Sequence, residues 1–172
     1  MPHGPNAHAM AAIRHAISLL CAVALLAMSS GGATQEEEDR QPLSDFARTT
    51  LRIETPSGRA LSFQVYVART MREHMQGLMY VQSLPADTGM LFPFDPPRPA
   101  AMWMKNTLIP LDMVFIREDG TIANIIADAA PQSLDTRNSD GPVAFVLELN
   151  GGTAARLGIA TGARVHIAPL QD

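Results

Sequence analysis

The chain has 172 residues, which is enough for one domain and too few for two of ordinary size. Its formal net charge is −4 at pH 7, and the sequence contains no basic cluster. Nucleic-acid binding therefore has no electrostatic support, and we expect no nucleic-acid partner.

The first 33 residues are typical of a secretory signal peptide. A weakly basic start is followed by an uncharged apolar run at residues 17–28 and then by small residues. The run is too short to span a bilayer, which needs about 20 apolar residues. We expect cleavage near Ala33, with Met10 as an alternative start. The sequence thus predicts an exported protein, periplasmic or extracellular, that meets the membrane only during export.

Cys21, the only cysteine, lies inside the apolar run rather than behind it. This position does not suit a lipid anchor, which attaches to a cysteine that follows the apolar segment. Cleavage near Ala33 would remove Cys21. The mature chain would then have no disulfide, no thiol nucleophile and no thiolate metal site.

Residues 34–49 are predicted to be a disordered acidic linker, because four acidic residues stand in succession at 36–39 and bulky apolar residues are scarce. A single globular domain is predicted for residues 50–172. It begins with alternating strands at 50–55 and 60–68, which the Pro-Ser-Gly turn between them favours as a hairpin.

The rest of the domain is predicted to consist of short strands and helices. Thr70 and Glu73 form a capping-box pattern that predicts a helix over residues 71–79. Strands are predicted at 89–94, 101–105, 111–117, 121–128, 142–149 and 164–168, a stiff proline loop at 95–99, a polar loop at 129–141 and a second helix at 153–157. There are no repeated βαβ units. We predict a compact, β-rich α+β domain: an antiparallel or mixed half-barrel of about seven strands with two short helices.

Five segments carry a family resemblance. They are GLM at residues 77–79, GMLF at 89–92, WMKNT at 103–107, IPLD at 109–112 and VLELN at 146–150, followed by two glycines. In this order and spacing the chain resembles the domain of unknown function 192 (DUF192), an uncharacterised bacterial and archaeal family, over roughly residues 51–168. The resemblance implies a small β-rich fold and often an exported protein, but no assigned reaction.

The candidate site lies in residues 102–115, where the only tryptophan and the only lysine stand in an almost wholly apolar run. Charged groups are costly to bury unless they are paired. We expect Lys105 to lie beside Trp103 with Asp112 or Glu148 as a carboxylate partner. Such a cluster is either a binding site or a structural ion pair, and Trp103 alone could simply belong to the core. The candidate ligand-binding residues are Trp103, Lys105, Asn106, Thr107, Asp112 and Glu148.

The favoured function is an exported binding or accessory module for a small polar ligand or a cell-envelope component, with no cofactor. Asn106 and Thr107 could instead only fix a turn. One alternative is an enzyme that uses Asp112 or Glu148 as acid or base beside Lys105. No catalytic residue is assigned, since hydrolase and phosphate-loop motifs are absent from the sequence.

Methionines offer a second alternative. Met71, Met75 and Met79 follow one another at helical spacing next to His74, and residues 102 and 104 supply two more thioethers. Thioethers suit Cu(I), so copper binding is possible in principle. A methionine stripe at this spacing also serves as core filler, and we assign no metal ligand on this pattern alone.

Overall fold

The computed structural model describes residues 40–169. The predicted signal peptide, residues 34–39 of the predicted linker and the last three residues lie outside this part. The N-terminal end of the described chain is already part of the fold. Leu43–Asp45 form a 3-10 turn, and Phe46 is buried. The predicted linker therefore extends too far, because one large apolar side chain anchors its last residues in a core.

The first two strands form the predicted hairpin. Strand β1 (Ala47–Glu54) pairs with β2 (Ala60–Val67) in antiparallel register, and Leu51 stands opposite Phe63. Helix α1 follows over Met71–Gln76 and has the predicted capping box at its start. It is shorter than predicted, because the chain turns at Gly77 with a φ of +49°.

Strand β3 (Thr88–Met102) is one strand of 15 residues, where the sequence predicted two strands and a proline loop. The prolines remain extended, and register shifts against the neighbouring strand lie on either side of Arg98 and Pro99. Bulges of this kind accommodate residues that cannot donate a hydrogen bond. The strand predicted at 101–105 was wrong beyond Met102, since Trp103 begins a loop.

Strand β6 (Arg137–Asn150) is also longer than predicted, because the polar residues after 136 pair with the end of β3. The remaining elements are β4 (Leu111–Ile116), β5 (Ile122–Ala129), helix α2 (Thr153–Leu157) and β7 (Arg164–Ile167). Apart from the end of the polar loop and the proline segment, the predicted strand positions agree with these bounds within a few residues.

The seven strands form one sheet in the order β5-β4-β6-β3-β2-β1-β7, and only β2 and β3 are parallel. The two edges of the sheet approach each other, since Thr121 forms a bridge with Arg164 and the Val165 amide donates to the Gly120 carbonyl at 2.8 Å. The predicted β-rich half-barrel with two short helices is confirmed. No helix in residues 40–169 is long and apolar enough to cross a membrane.

Alternation along the strands builds an apolar core on each face of the sheet. One face carries Leu91, Val114 and Leu147 and is covered by α2. The other carries Met90, Met113 and Val146, and it packs against Phe46, Leu78 and Met104 from outside the sheet. The candidate site belongs to this second face.

Candidate functional site

The loop between β3 and β4 carries most of the predicted site residues. It is held by backbone hydrogen bonds from Met104 to the Ser133 carbonyl and from Gln132 to the Thr107 carbonyl, at 3.0 and 3.1 Å. Met104 is fully buried, whereas the preceding residue, Trp103, is 45% exposed. Trp103 therefore does not belong to the core, so the core-packing interpretation of this residue was wrong.

Asn106 fixes the shape of this loop. Its φ is +54°, a left-handed conformation that asparagine tolerates better than most side chains. Its side-chain amide donates to the Tyr80 hydroxyl at 2.8 Å, and its carbonyl accepts from the Tyr80 amide at 2.9 Å. The loop is thereby tied to the turn that follows α1. Asn106 positions its neighbours by this contact.

Asp112 lies on β4, fully buried, on the face of the sheet that α2 covers. Its Oδ1 accepts from the amides of Asp128 and Gly152 at 2.8 and 3.0 Å, and its Oδ2 accepts from the Ala154 amide at 2.6 Å. The N-cap residue of α2 is Gly152, which has no side chain for capping. Asp112 therefore satisfies the free amides at the start of this helix from a neighbouring strand.

Glu148 lies on the opposite face of the sheet. In β6 it stands across from Met113 in β4 and from Met90 in β3, both fully buried. Glu148 itself is only 4% exposed, and burial raises the pKa of its carboxyl to about 8. Within residues 40–169 its side chain has no hydrogen bond or ion pair to another residue, and loss of water is the single cause of the raised pKa.

The Glu148 carboxyl lines a small cavity of about 30 Å³, which we call the inner cavity. This volume is enough for one or two water-sized groups. The walls come from the turn after α1, from Phe92, and from Trp103, Lys105 and Thr107 of the loop. Residues from four of the five family segments therefore meet at this cavity, around a buried acid.

A larger depression of about 510 Å³, the outer groove, adjoins the inner cavity. Its lining residues are Met71, His74, Met75, Phe92, Phe94, Arg98, Ala101, Met102, Trp103 and Thr136. Half of these also line the inner cavity, so the two spaces share a wall. The outer groove is thus mostly apolar and aromatic, with Arg98 as its one charged side chain at neutral pH.

His74 stands at the shared wall. Its ring meets Phe92 and Phe94 edge-on, with centroid distances of 5.6 and 5.5 Å, and Arg98 lies 4.9 Å over the Phe94 ring. Burial lowers the pKa of His74, which a hydrogen bond to the Ala68 backbone partly offsets. The imidazole is therefore an oriented, half-buried group between the two spaces.

The six predicted site residues separate into three groups. Trp103, Lys105 and Thr107 line the inner cavity together with Glu148. Asn106 holds the loop in place, and Asp112 lies on the other side of the sheet. Neither Asp112 nor Glu148 forms the expected ion pair with Lys105. Asp112 accepts from three backbone amides, and Glu148 lines the inner cavity.

Sequence reasoning missed the aromatic and basic part of the groove. Phe92, Phe94 and Arg98 lie in a segment that was interpreted as a short strand and a proline loop, and apolar residues in a strand are ordinarily assigned to the core. Only the uninterrupted extension of β3 brings these side chains to the wall opposite α1. His74 was noted beside the methionines, but its place in the groove depends on tertiary packing.

The sequence model of the DUF192 family, described as "Uncharacterized ACR", matches residues 52–167. The chain belongs to the DUF192 family. The resemblance inferred from the five segments is therefore confirmed, and the family has no assigned function. No curated protein gave a match.

Two solved structures are similar to this DUF192 protein. A protein from Sinorhizobium meliloti 1021, suggested by its description to be a transcription regulator, is 47% identical, with a TM-score of 0.69, over 71% of this chain and 95% of its own. A protein of unknown function from Novosphingobium aromaticivorans DSM 12444 is 38% identical, with a TM-score of 0.70, over 80% of this chain and 99% of its own. In both relatives, the domain shared with this chain therefore makes up nearly the whole chain.

Proposed function

We propose that this DUF192 protein binds a small ligand that has an apolar body and one compact hydrogen-bonding head. The body would occupy the outer groove beside Trp103, and the head would reach the Glu148 carboxyl in the inner cavity. The observation that carries this proposal is the position of Glu148. It is a buried acid with no hydrogen-bond or ion-pair partner among residues 40–169, and it lines a space large enough for one small polar group.

The contrast with Asp112 supports a binding role for Glu148. A buried carboxyl that serves only the fold is normally satisfied by hydrogen bonds, as Asp112 is by three backbone amides. Burying a carboxyl without such bonds costs free energy, and proteins tolerate this cost mainly at functional sites. A ligand head that hydrogen-bonds to Glu148 would recover part of that cost.

The composition of the outer groove supports an apolar ligand body. Ligand sites are typically concave and apolar, with a few polar groups that set orientation, and this groove falls within the usual size range. Trp103 and Met75 at its edge are exposed although both are large and apolar. Methionine side chains are adaptable and suit binding surfaces that accept more than one shape.

A matched series of probes tests the proposal on residues 34–172. Benzyl alcohol and benzylamine share a phenyl body with ethylbenzene, which lacks a polar head. We expect NMR titration to give tighter binding for one or both headed probes than for ethylbenzene. In Glu148→Leu this preference should disappear, while Trp103→Ala should weaken all three probes.

Leu108→Ala is the control, because Leu108 is an exposed apolar residue of the same loop that lines neither space. It should leave all affinities unchanged. If Glu148→Leu keeps the full preference for headed probes, or if Trp103→Ala has no effect, the proposed site is wrong. Equal loss in Leu108→Ala would also contradict it.

The proposed setting is outside the cytoplasm, in the periplasm or beyond, where the ligand could be a cell-envelope component. The apolar run at residues 17–28 supports this part of the proposal. Expression of the full chain in a Gram-negative host should give a periplasmic product that begins near residue 34. Deletion of residues 17–28 should leave the protein uncleaved in the cytoplasm. An uncleaved cytoplasmic product from the full chain, or a periplasmic product from the deletion variant, would contradict this part of the proposal.

Catalysis is the weaker alternative. Both carboxylate oxygens of Asp112 accept from backbone amides, and the residue lies on the face covered by α2, away from the inner cavity. Glu148 faces the inner cavity and is the remaining candidate for proton transfer. An enzymatic role would therefore depend on Glu148 alone. Among the described residues that line the outer groove, Arg98 is the single arginine or lysine, so the groove lacks the basic lining that favours DNA binding.

A further inference from the structure

We propose that the outer groove holds one soft monovalent metal ion, Cu(I), through thioethers of Met71, Met75 and Met102 with the imidazole of His74. This goes beyond the proposed function, whose ligand shares the outer groove for its apolar body but depends on Glu148 for its polar head. The predicted set was Met71, Met75 and Met79. Met79 follows the end of α1 and lines the inner cavity instead, and Met102 from β3 takes its place in the outer groove.

Backbone geometry brings the four side chains together. Met71 and Met75 are four residues apart in α1, and His74 is three residues from Met71, so all three lie on neighbouring positions of one helix face. Met102 is the last residue of β3. All four side chains line the same space, with α1 on one side and β3 on the other.

The exposure of two of the methionines argues against a packing role. Met71 is 84% exposed and Met75 is 57% exposed. The structure thus excludes core filling as the reason for the stripe, at least for these two residues. Because they are exposed, their flexible thioethers can turn toward an ion without repacking the core.

His74 is oriented as metal-ligating histidines commonly are. The rings of Phe92 and Phe94 meet its ring edge-on, at centroid distances of 5.6 and 5.5 Å. Such outer contacts restrict the ring orientation and leave a ring nitrogen to act as a ligand. Thioether and imidazole together form a soft ligand set.

The surroundings favour Cu(I) over harder or more highly charged ions. No carboxylate is among the residues that line the outer groove, and Arg98 adds a positive charge there. No cluster of three or more histidine, cysteine, aspartate or glutamate residues that could hold a metal occurs within residues 40–169. Ca²⁺ and Mg²⁺ require oxygen ligands, and the nearby arginine disfavours divalent ions most.

The test uses residues 34–172, which omit Cys21 and so exclude thiolate binding. With methyl-labelled methionine, one equivalent of Ag(I), an air-stable analogue of Cu(I), should shift the methyl signals of Met71, Met75 and Met102. The signals of Met90 and Met113, both fully buried, should not move. Anaerobic Cu(I) competition against a chromophoric chelator should give one ion per chain.

Leucine substitutions provide matched variants, since they keep size and remove sulfur. Met71→Leu, Met75→Leu and Met102→Leu should each weaken Cu(I) binding at least tenfold, and the triple variant should lose it. Met79→Leu is the control and should bind as the unchanged protein does. The proposal is overturned if no stoichiometric binding occurs, if the triple variant binds unchanged, or if Met79→Leu abolishes binding.

A final comparison separates this proposal from the ligand site. Glu148→Leu should abolish the preference for headed probes and leave Cu(I) affinity unchanged. Loss of Cu(I) binding in Glu148→Leu, with a folded protein by circular dichroism, would show that the ion sits in the inner cavity and would contradict the outer-groove site. Either proposal can thus fail without the other.

Discussion

Asp112 and Glu148 lie on adjacent antiparallel strands but point to opposite faces of the sheet. Glu148 stands across from Met113, one residue beyond Asp112, and Asp112 stands across from Leu149. Because side chains alternate along a strand, this offset of one residue separates the two buried acids completely. One acid holds the start of α2, and the other faces the inner cavity.

Asp112→Ala should destabilise the protein strongly. The change removes the acceptor of three backbone amides, which leaves one buried and two partly buried donors without this partner. We expect the free energy of unfolding to fall by roughly 3 kcal/mol or more, as measured by urea denaturation. A loss below about 1 kcal/mol would mean that water replaces the carboxylate and that Asp112 is not needed to cap α2.

Glu148→Gln should change the pH dependence of stability. Burial raises the Glu148 pKa from 4.5 to about 8, so between these values the folded chain keeps a proton that the unfolded chain has lost. Stability of the unchanged protein should therefore fall as pH rises through this window, by up to about 1.4 kcal/mol per pH unit.

The variant lacks this titration, so its stability relative to the unchanged protein should increase from pH 5 to pH 8 and then level off. Urea denaturation at several pH values measures this difference. Parallel pH profiles for the two proteins would show that the Glu148 pKa is ordinary and that its carboxyl is better solvated than the structure indicates.

Asn106→Ala should lower the free energy of unfolding by about 1–3 kcal/mol. It loses the hydrogen bond to Tyr80, and alanine tolerates a φ of +54° less well than asparagine does. Asn106→Gly loses the same side chain but tolerates this φ, so it should be less harmful. Tyr80→Phe removes only the hydroxyl and so measures the contribution of its hydrogen bond with Asn106. If Asn106→Ala and Asn106→Gly are equally stable, backbone conformation does not explain the asparagine.

Thr70→Ala should destabilise α1 by about 1 kcal/mol. The Thr70 hydroxyl accepts from the Glu73 amide at 3.2 Å, and the Glu73 carboxylate accepts from the Thr70 amide at 2.8 Å. Since α1 carries Met71, His74 and Met75, hydrogen exchange of its amides should accelerate in the variant. Thr70→Ser keeps the hydroxyl and should behave like the unchanged protein.

Local sequence patterns were sufficient to predict much of the architecture. Alternation identified the β1–β2 hairpin, and the Thr70–Glu73 pattern located the start of α1, because both signals depend on neighbours within a few residues. The length of β3 was not predictable in this way. The sequence pattern of its proline segment predicts a loop. The segment stays extended because it pairs with β6, which is distant in the sequence.

The sequence by itself determined the family and the segment that holds the site, since one lysine, one tryptophan and the buried acids are conspicuous in apolar surroundings. Only the tertiary structure decided the role of each. Register across β4 and β6 assigned Asp112 to a helix end and Glu148 to a cavity, because a shift of one residue reverses the face of a sheet. The outer groove likewise exists only where β3 lies opposite α1.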